Sequence, residues 1–117
     1  MSITLKSDAE IVAIVTPMID AVVNASNRQD WASFCAYQTK EEALDPKNKA
    51  TVLKAWEEHA LFTSLNQDRE ILGVLRNGEV AEIVWRQTSS QVPGDFLARY
   101  FIKEIDQQIK EVGFLID

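Results

Sequence analysis

The sequence predicts an α+β fold, helices first and an antiparallel sheet after, and three observations carry that reading. Apolar residues recur at helical spacing through the first half of the chain and at a period of two after Asn66. β-Branched and aromatic residues become denser at the same place. Between two such alternating runs lies Asn77-Gly78, a strong short-range hairpin signal.

The first helix starts at Ser7-Asp8-Ala9-Glu10, where Ser7 and Glu10 can satisfy each other's free N–H groups as a capping box. Its stripe is Ile11, Val12, Ile14, Val15, Met18, Ile19, Val22 and Val23, and it stays in phase across Pro17, which predicts one kinked helix rather than two. The polar stretch Asn24 to Gln29 ends it. Asp30 then caps a short second helix anchored by Trp31 and Phe34. From Gln38 to Asn48 the chain is polar around Asp45-Pro46, with room for a short connection or a stub of extended structure. A third helix is expected from about Lys47 to Phe62, burying Leu53, Trp56, Ala60 and Leu61.

Four strands are expected after it, from Glu70 to Arg76, Glu79 to Thr88, Asp95 to Glu104 and Ile109 to Ile116. A type I′ turn centred on Asn77-Gly78 would set Arg76 opposite Glu79 and Leu72 opposite Ile83. Leu72, Val74, Ala81, Ile83 and Trp85 would then share one face, and Ile71, Leu75, Val80, Glu82, Val84 and Arg86 the other. A turn at Asp106-Gln107 joins the last two strands.

Length and composition narrow the function classes. The 117 residues, 46% hydrophobic and 26% charged, are those of one ordinary domain spanning 1–117. A net charge of −6 with dispersed Lys and Arg makes nucleic acid and anionic membrane surfaces unfavourable partners. Neither a signal sequence nor a window of membrane-spanning length is apparent, so a cytoplasmic location is expected. Cys35 is the single cysteine, which excludes an internal disulfide and paired-cysteine metal sites; no metal or cofactor is expected.

Two segments carry a family resemblance. Asn27-Arg28-Gln29-Asp30-Trp31-Ala32-Ser33-Phe34 and Glu104-Ile105-Asp106-Gln107-Gln108-Ile109-Lys110-Glu111-Val112, with the order of elements, resemble the nuclear-transport-factor-2-like superfamily. That superfamily includes ketosteroid-isomerase-like and polyketide-cyclase-like members. The resemblance implies three N-terminal helices packed into a bent antiparallel sheet of about four strands, a cone with a pocket at its open end. It also implies a convex side that often pairs with a second subunit. Gln107 stands where the family's last turn carries glycine, and the segment from Gln38 to Asn48 is short for an extra strand found in many members.

The isomerase-like members resembled here use a carboxylate base and an oxyanion-binding pair. This chain places Ile11, Ile14, Val15 and Met18 where a tyrosine donor would be wanted, and Glu41, Glu42 and Asp45 read as surface charge. Glu82 and Arg86 read as a surface pair on one strand. His59, the only histidine, reads as a structural, partly buried residue, since base work needs an oriented acid that is not evident. Cys35, between Phe34 and Ala36, reads as buried and inert. No residue is assigned a catalytic role.

Trp56, His59, Trp85 and Tyr100 are the expected pocket-lining residues, large side chains with polar tips. The favoured function is a non-catalytic module with an apolar pocket that binds a small hydrophobic molecule or a protein partner. The alternative is a cofactor-independent isomerase, cyclase or dehydratase, with His59 or an acid such as Glu82 or Glu111 as base. Strands apolar on both faces predict a homodimer through the sheet, because helices can cover only one face.

Overall fold

A computed structural model describes residues 2–117 and has the expected α+β order, helices before a four-stranded antiparallel sheet. Helix α1 is Asp8–Arg28. The Ser7 hydroxyl accepts from the Glu10 N–H at 3.1 Å and the Ser7 N–H donates to Glu10 Oε1 at 3.0 Å, so the capping box is complete. The helix runs on through Pro17 and stops at Gln29, which takes a left-handed φ of 55°. Contrary to the sequence expectation, α1 is long and apolar enough to cross a membrane by length and composition. Its apolar stripe, Ile11, Val15, Ile19, Val22 and Val23, is packed into the core.

Helix α2, Trp31–Phe34, is capped by Asp30, whose carboxylate accepts from the Ser33 N–H and hydroxyl at 3.3 and 2.7 Å. The polar stretch after it is more structured than expected. Gln38 forms an isolated bridge with Glu111, and Thr39 caps a one-turn helix α3, Lys40–Leu44. Asp45 and Pro46 then open α4, Pro46–Glu58, with the Asp45 carboxylate accepting from the Lys47 N–H at 2.9 Å. The helix expected to reach Phe62 therefore ends four residues early, and Ala60–Thr63 forms a 3-10 turn. That departure turns the Phe62 carbonyl to the Ser26 hydroxyl of α1, a tertiary bond that helical periodicity does not encode.

The strands β1 (Glu70–Asn77), β2 (Val80–Gln87), β3 (Phe96–Ile105) and β4 (Gln108–Ile116) form a meander in chain order. The first hairpin corrects the predicted register. Asn77 pairs with Val80 and Arg76 with Ala81, so the two-residue turn is Gly78-Glu79, with Gly78 first and at a φ of +62°. That is the position a type II′ turn reserves for glycine. The slip moves pairing by an even number of residues, so Val74, Ala81, Ile83 and Trp85 still share the inner face.

A bulge between Ile71 and Gly73 then reverses the alternation. Ile71 packs on the core, and Leu72, expected inside, is half exposed. The positive-φ pair expected at the first hairpin occurs instead at Asp106 and Gln107, with φ of 51° and 66°.

A second bulge lies in β4. Glu111 pairs with Ile102 and Gly113 with Phe101, which leaves Val112 over. Without it, Glu111 and Gly113 would share a face. With it, Ile109, Glu111, Phe114 and Ile116 point inward together. The inner face is completed by Ala98, Tyr100 and Ile102, all fully buried. On the outer face Leu75, Leu97 and Leu115 are exposed, beside an Arg99–Glu82 pair at 2.6 Å. Glu82 thus bonds Arg99 across strands, and Arg86 turns to Glu70 at 3.8 Å, replacing the expected Glu82–Arg86 pair.

Candidate functional site

Two adjoining cavities run along the seam where α4 meets β4, sharing Phe34, Val52 and Phe114 as common walls. One, of about 210 Å³, is apolar, and Trp56, Phe62 and Ile116 complete its lining with the Ser26 hydroxyl. The other, of about 120 Å³, is mixed, its polar groups coming from Gln38, Glu42, Asn48 and Glu111.

The apolar wall is held by interlocked aromatic rings. Phe34 meets Trp56 edge-on at 5.3 Å, and Phe114 lies against Phe34, Trp85 and Tyr100 at 6.4, 6.0 and 5.8 Å. The Trp56 indole donates to the Ser26 hydroxyl at 3.0 Å, which in turn donates to the Phe62 carbonyl, so both polar groups are spent inside the wall.

The polar end is different. Glu111 is 4% exposed, and its N–H donates to the Tyr37 carbonyl at 2.7 Å, which ties the free edge of β4 to the turn after α2. Its carboxyl oxygen Oε1 has no hydrogen-bond partner, and neither has the fully buried Tyr100 hydroxyl. Gln38 spends its carbonyl oxygen on Asn48 at 2.8 Å. Its NH₂ remains for Glu111. Burial pushes the Glu111 carboxyl up to about 7; the nearby Tyr100 and Gln38 side chains pull it down, and the Glu42 charge adds to the rise. Burial and the Glu111 charge hold the Tyr100 hydroxyl well above the ordinary tyrosine range.

Of the four expected pocket residues, Trp56 lines the apolar cavity. Tyr100 lies beneath it, with its hydroxyl beside the polar end. Trp85 is fully buried behind Phe114, its indole donating to Gln87 at 2.9 Å, and reaches neither cavity. His59, expected to be partly buried, is exposed at the C-terminus of α4, its ring edge-on to Phe62 at 5.9 Å. Cys35, expected buried, is half-buried.

Gln38, Asn48 and Glu42, the last read as surface charge, are the polar residues that sequence reasoning left out of the pocket, and Glu111 was named only as a possible base of the alternative function. The signal for Glu111 was its phase: an acid two residues from Ile109, on the side that Phe114 and Ile116 reach only through the bulge. Among the described residues, no three His, Cys, Asp or Glu side chains gather as a metal site would require. Comparison of the chain with family models, curated proteins and solved structures finds no match.

Proposed function

We propose that the chain is a non-catalytic small-molecule-binding module of the nuclear-transport-factor-2-like type. Its ligand occupies the seam between α4 and β4. The observation that carries this reading is the pair of adjoining cavities, apolar at one end and ending on a buried carboxyl with a free acceptor atom. Pockets of this make-up, mostly apolar with a few convergent polar groups, are the usual form of small-ligand sites. Val52 is a shared wall of both cavities, so Val52→Trp fills the seam. Saturable binding of small aromatic probes, followed by calorimetry, is expected in the parent chain and lost in that variant. Equal binding by both refutes the reading.

The exposed leucines Leu75, Leu97 and Leu115 support a homodimer formed through the outer sheet face. Sedimentation equilibrium at micromolar concentration checks it, a 13.2 kDa species being the refuting result.

Glu111 also favours a second reading, a cofactor-independent isomerase, cyclase or dehydratase. A carboxyl pushed up to about 7 is poised to exchange protons near neutral pH. In this reading Glu111, and not the exposed His59, is the base. Turnover of a candidate substrate that falls by orders of magnitude in Glu111→Gln, with stability maintained, would replace the module by the enzyme.

A further inference from the structure

We propose that the ligand is a small organic cation, an ammonium group on an apolar body, its charge seated between Glu111 and Glu42 and its body lying along Phe34, Trp56 and Phe114. The proposal rests on the pocket reading above and adds the chemical class of the occupant.

Three observations converge on it. The first is charge: among the described residues lining the two cavities, the ionisable side chains are Glu42 and Glu111, with no lysine, arginine or histidine. A carboxylate-bearing or phosphate-bearing ligand would set its charge against the buried Glu111 and the exposed Glu42 with no counter-charge in the lining, which is costly.

The second is hydrogen-bond capacity. Glu111 Oε1 is buried without a partner, and the donors beside it are the Tyr100 hydroxyl, with one proton, and the Gln38 NH₂, so an ionised Glu111 keeps lone pairs for a further donor. The Gln38 carbonyl is already committed to Asn48. An ammonium, with three donors and no acceptor, is the complement of such a site. Tyr37 and Tyr100 are the other ionisable groups that act on this cluster, and neither supplies a positive charge.

The third is the wall. The rings of Phe34, Trp56 and Phe114 begin where the acids end, and aromatic faces attract cations as well as apolar groups. Each cavity is smaller than the ~300–1,000 Å³ usual for drug-sized ligands, which favours a body of one ring and a short chain.

The test uses the full chain and three probes of one shape: phenethylamine, phenethyl alcohol and phenylacetate, titrated at about pH 8 by calorimetry. The amine is expected to bind at least roughly tenfold more tightly than the alcohol, and the carboxylate not measurably. In Glu111→Gln, checked for folding by circular dichroism, amine and alcohol should bind alike; Glu42→Gln should weaken the amine by a few-fold. Alcohol binding as tight as the amine's, or an amine affinity indifferent to Glu111→Gln, overturns the cation. In those two outcomes the pocket reading survives as long as Val52→Trp still abolishes binding. Binding of none of the three overturns both.

Discussion

Gln87 and Glu111 are buried almost equally, 0% and 4% exposed, on the same sheet, and they do opposite things with their polar atoms. Gln87 is closed. Its carbonyl oxygen accepts from the Trp85 indole at 2.9 Å, and its NH₂ donates to the Asn66 and Thr88 carbonyls at 2.8 Å each. Glu111 is open, with Oε1 unpartnered beside an unpartnered Tyr100 hydroxyl.

The difference lies in what surrounds each residue. Around Gln87, the loop after the 3-10 turn and the end of β2 bring two backbone carbonyls to one amide. Around Glu111, the bulge at Val112 aims an acid at a cavity. A buried polar group with all its bonds made specifies a core, whereas one left short has capacity for something else.

Breaking the closed network should have the largest effect. Gln87→Ala strands the Trp85 N–H and the Asn66 carbonyl in the interior and is expected to cost about 3–5 kcal/mol. A fall in the denaturation midpoint at unchanged slope is the readout, and a loss below about 1 kcal/mol would mean that the network is not structural.

Removing the open group should do the reverse, in a pH-dependent way. Below the ordinary carboxylate value of 4.5, Glu111 is protonated in both the folded and the unfolded chain, and its contribution to stability is fully present. Between 4.5 and about 7 the unfolded chain ionises while the folded one holds its proton, so stability falls as pH rises and the loss is complete above about 7. Glu111→Gln should therefore raise stability by about 3 kcal/mol at pH 8 and change it little at pH 4. Equal effects at the two pH values would place the burden elsewhere.

A control in the turn before the same strand sharpens the contrast. Gln107 holds a φ of 66° in the turn leading into β4, a conformation in which a side chain is strained and glycine is not. Gln107→Gly should stabilise by about 1 kcal/mol, equally at pH 4 and pH 8. Thermal unfolding at the two pH values separates this strain relief from the Glu111 titration.

The smallest effect is expected from Tyr100→Phe. The hydroxyl has no partner at good hydrogen-bond geometry and interacts only with the nearby Glu111 carboxyl, so its loss should change stability by less than about 1 kcal/mol. Because Tyr100 lowers the Glu111 carboxyl, the variant should move that titration upward, as followed by carboxyl chemical shifts. A downward shift would show that the hydroxyl does not support the anion.

Local chemistry was enough for much of this architecture. The Ser7–Glu10 capping box, Asp30 as a cap, the phase of α1 and the period-two strands are written in neighbouring residues, and the α+β order follows from them. Which side chains face the seam was not decided at that range. Two bulges, at Leu72 and Val112, reverse the alternation that a period-two reading assumes, moving Leu72 out and bringing Phe114 and Ile116 onto the side of Glu111. α4 ends before a turn whose Phe62 carbonyl accepts from Ser26 of another helix, and His59, at that end, is exposed instead of beside the pocket. A residue's period and propensity are properties of its neighbours along the chain; a bulge, a cap from a distant helix and a carboxyl's loss of water depend on partners that folding alone brings together.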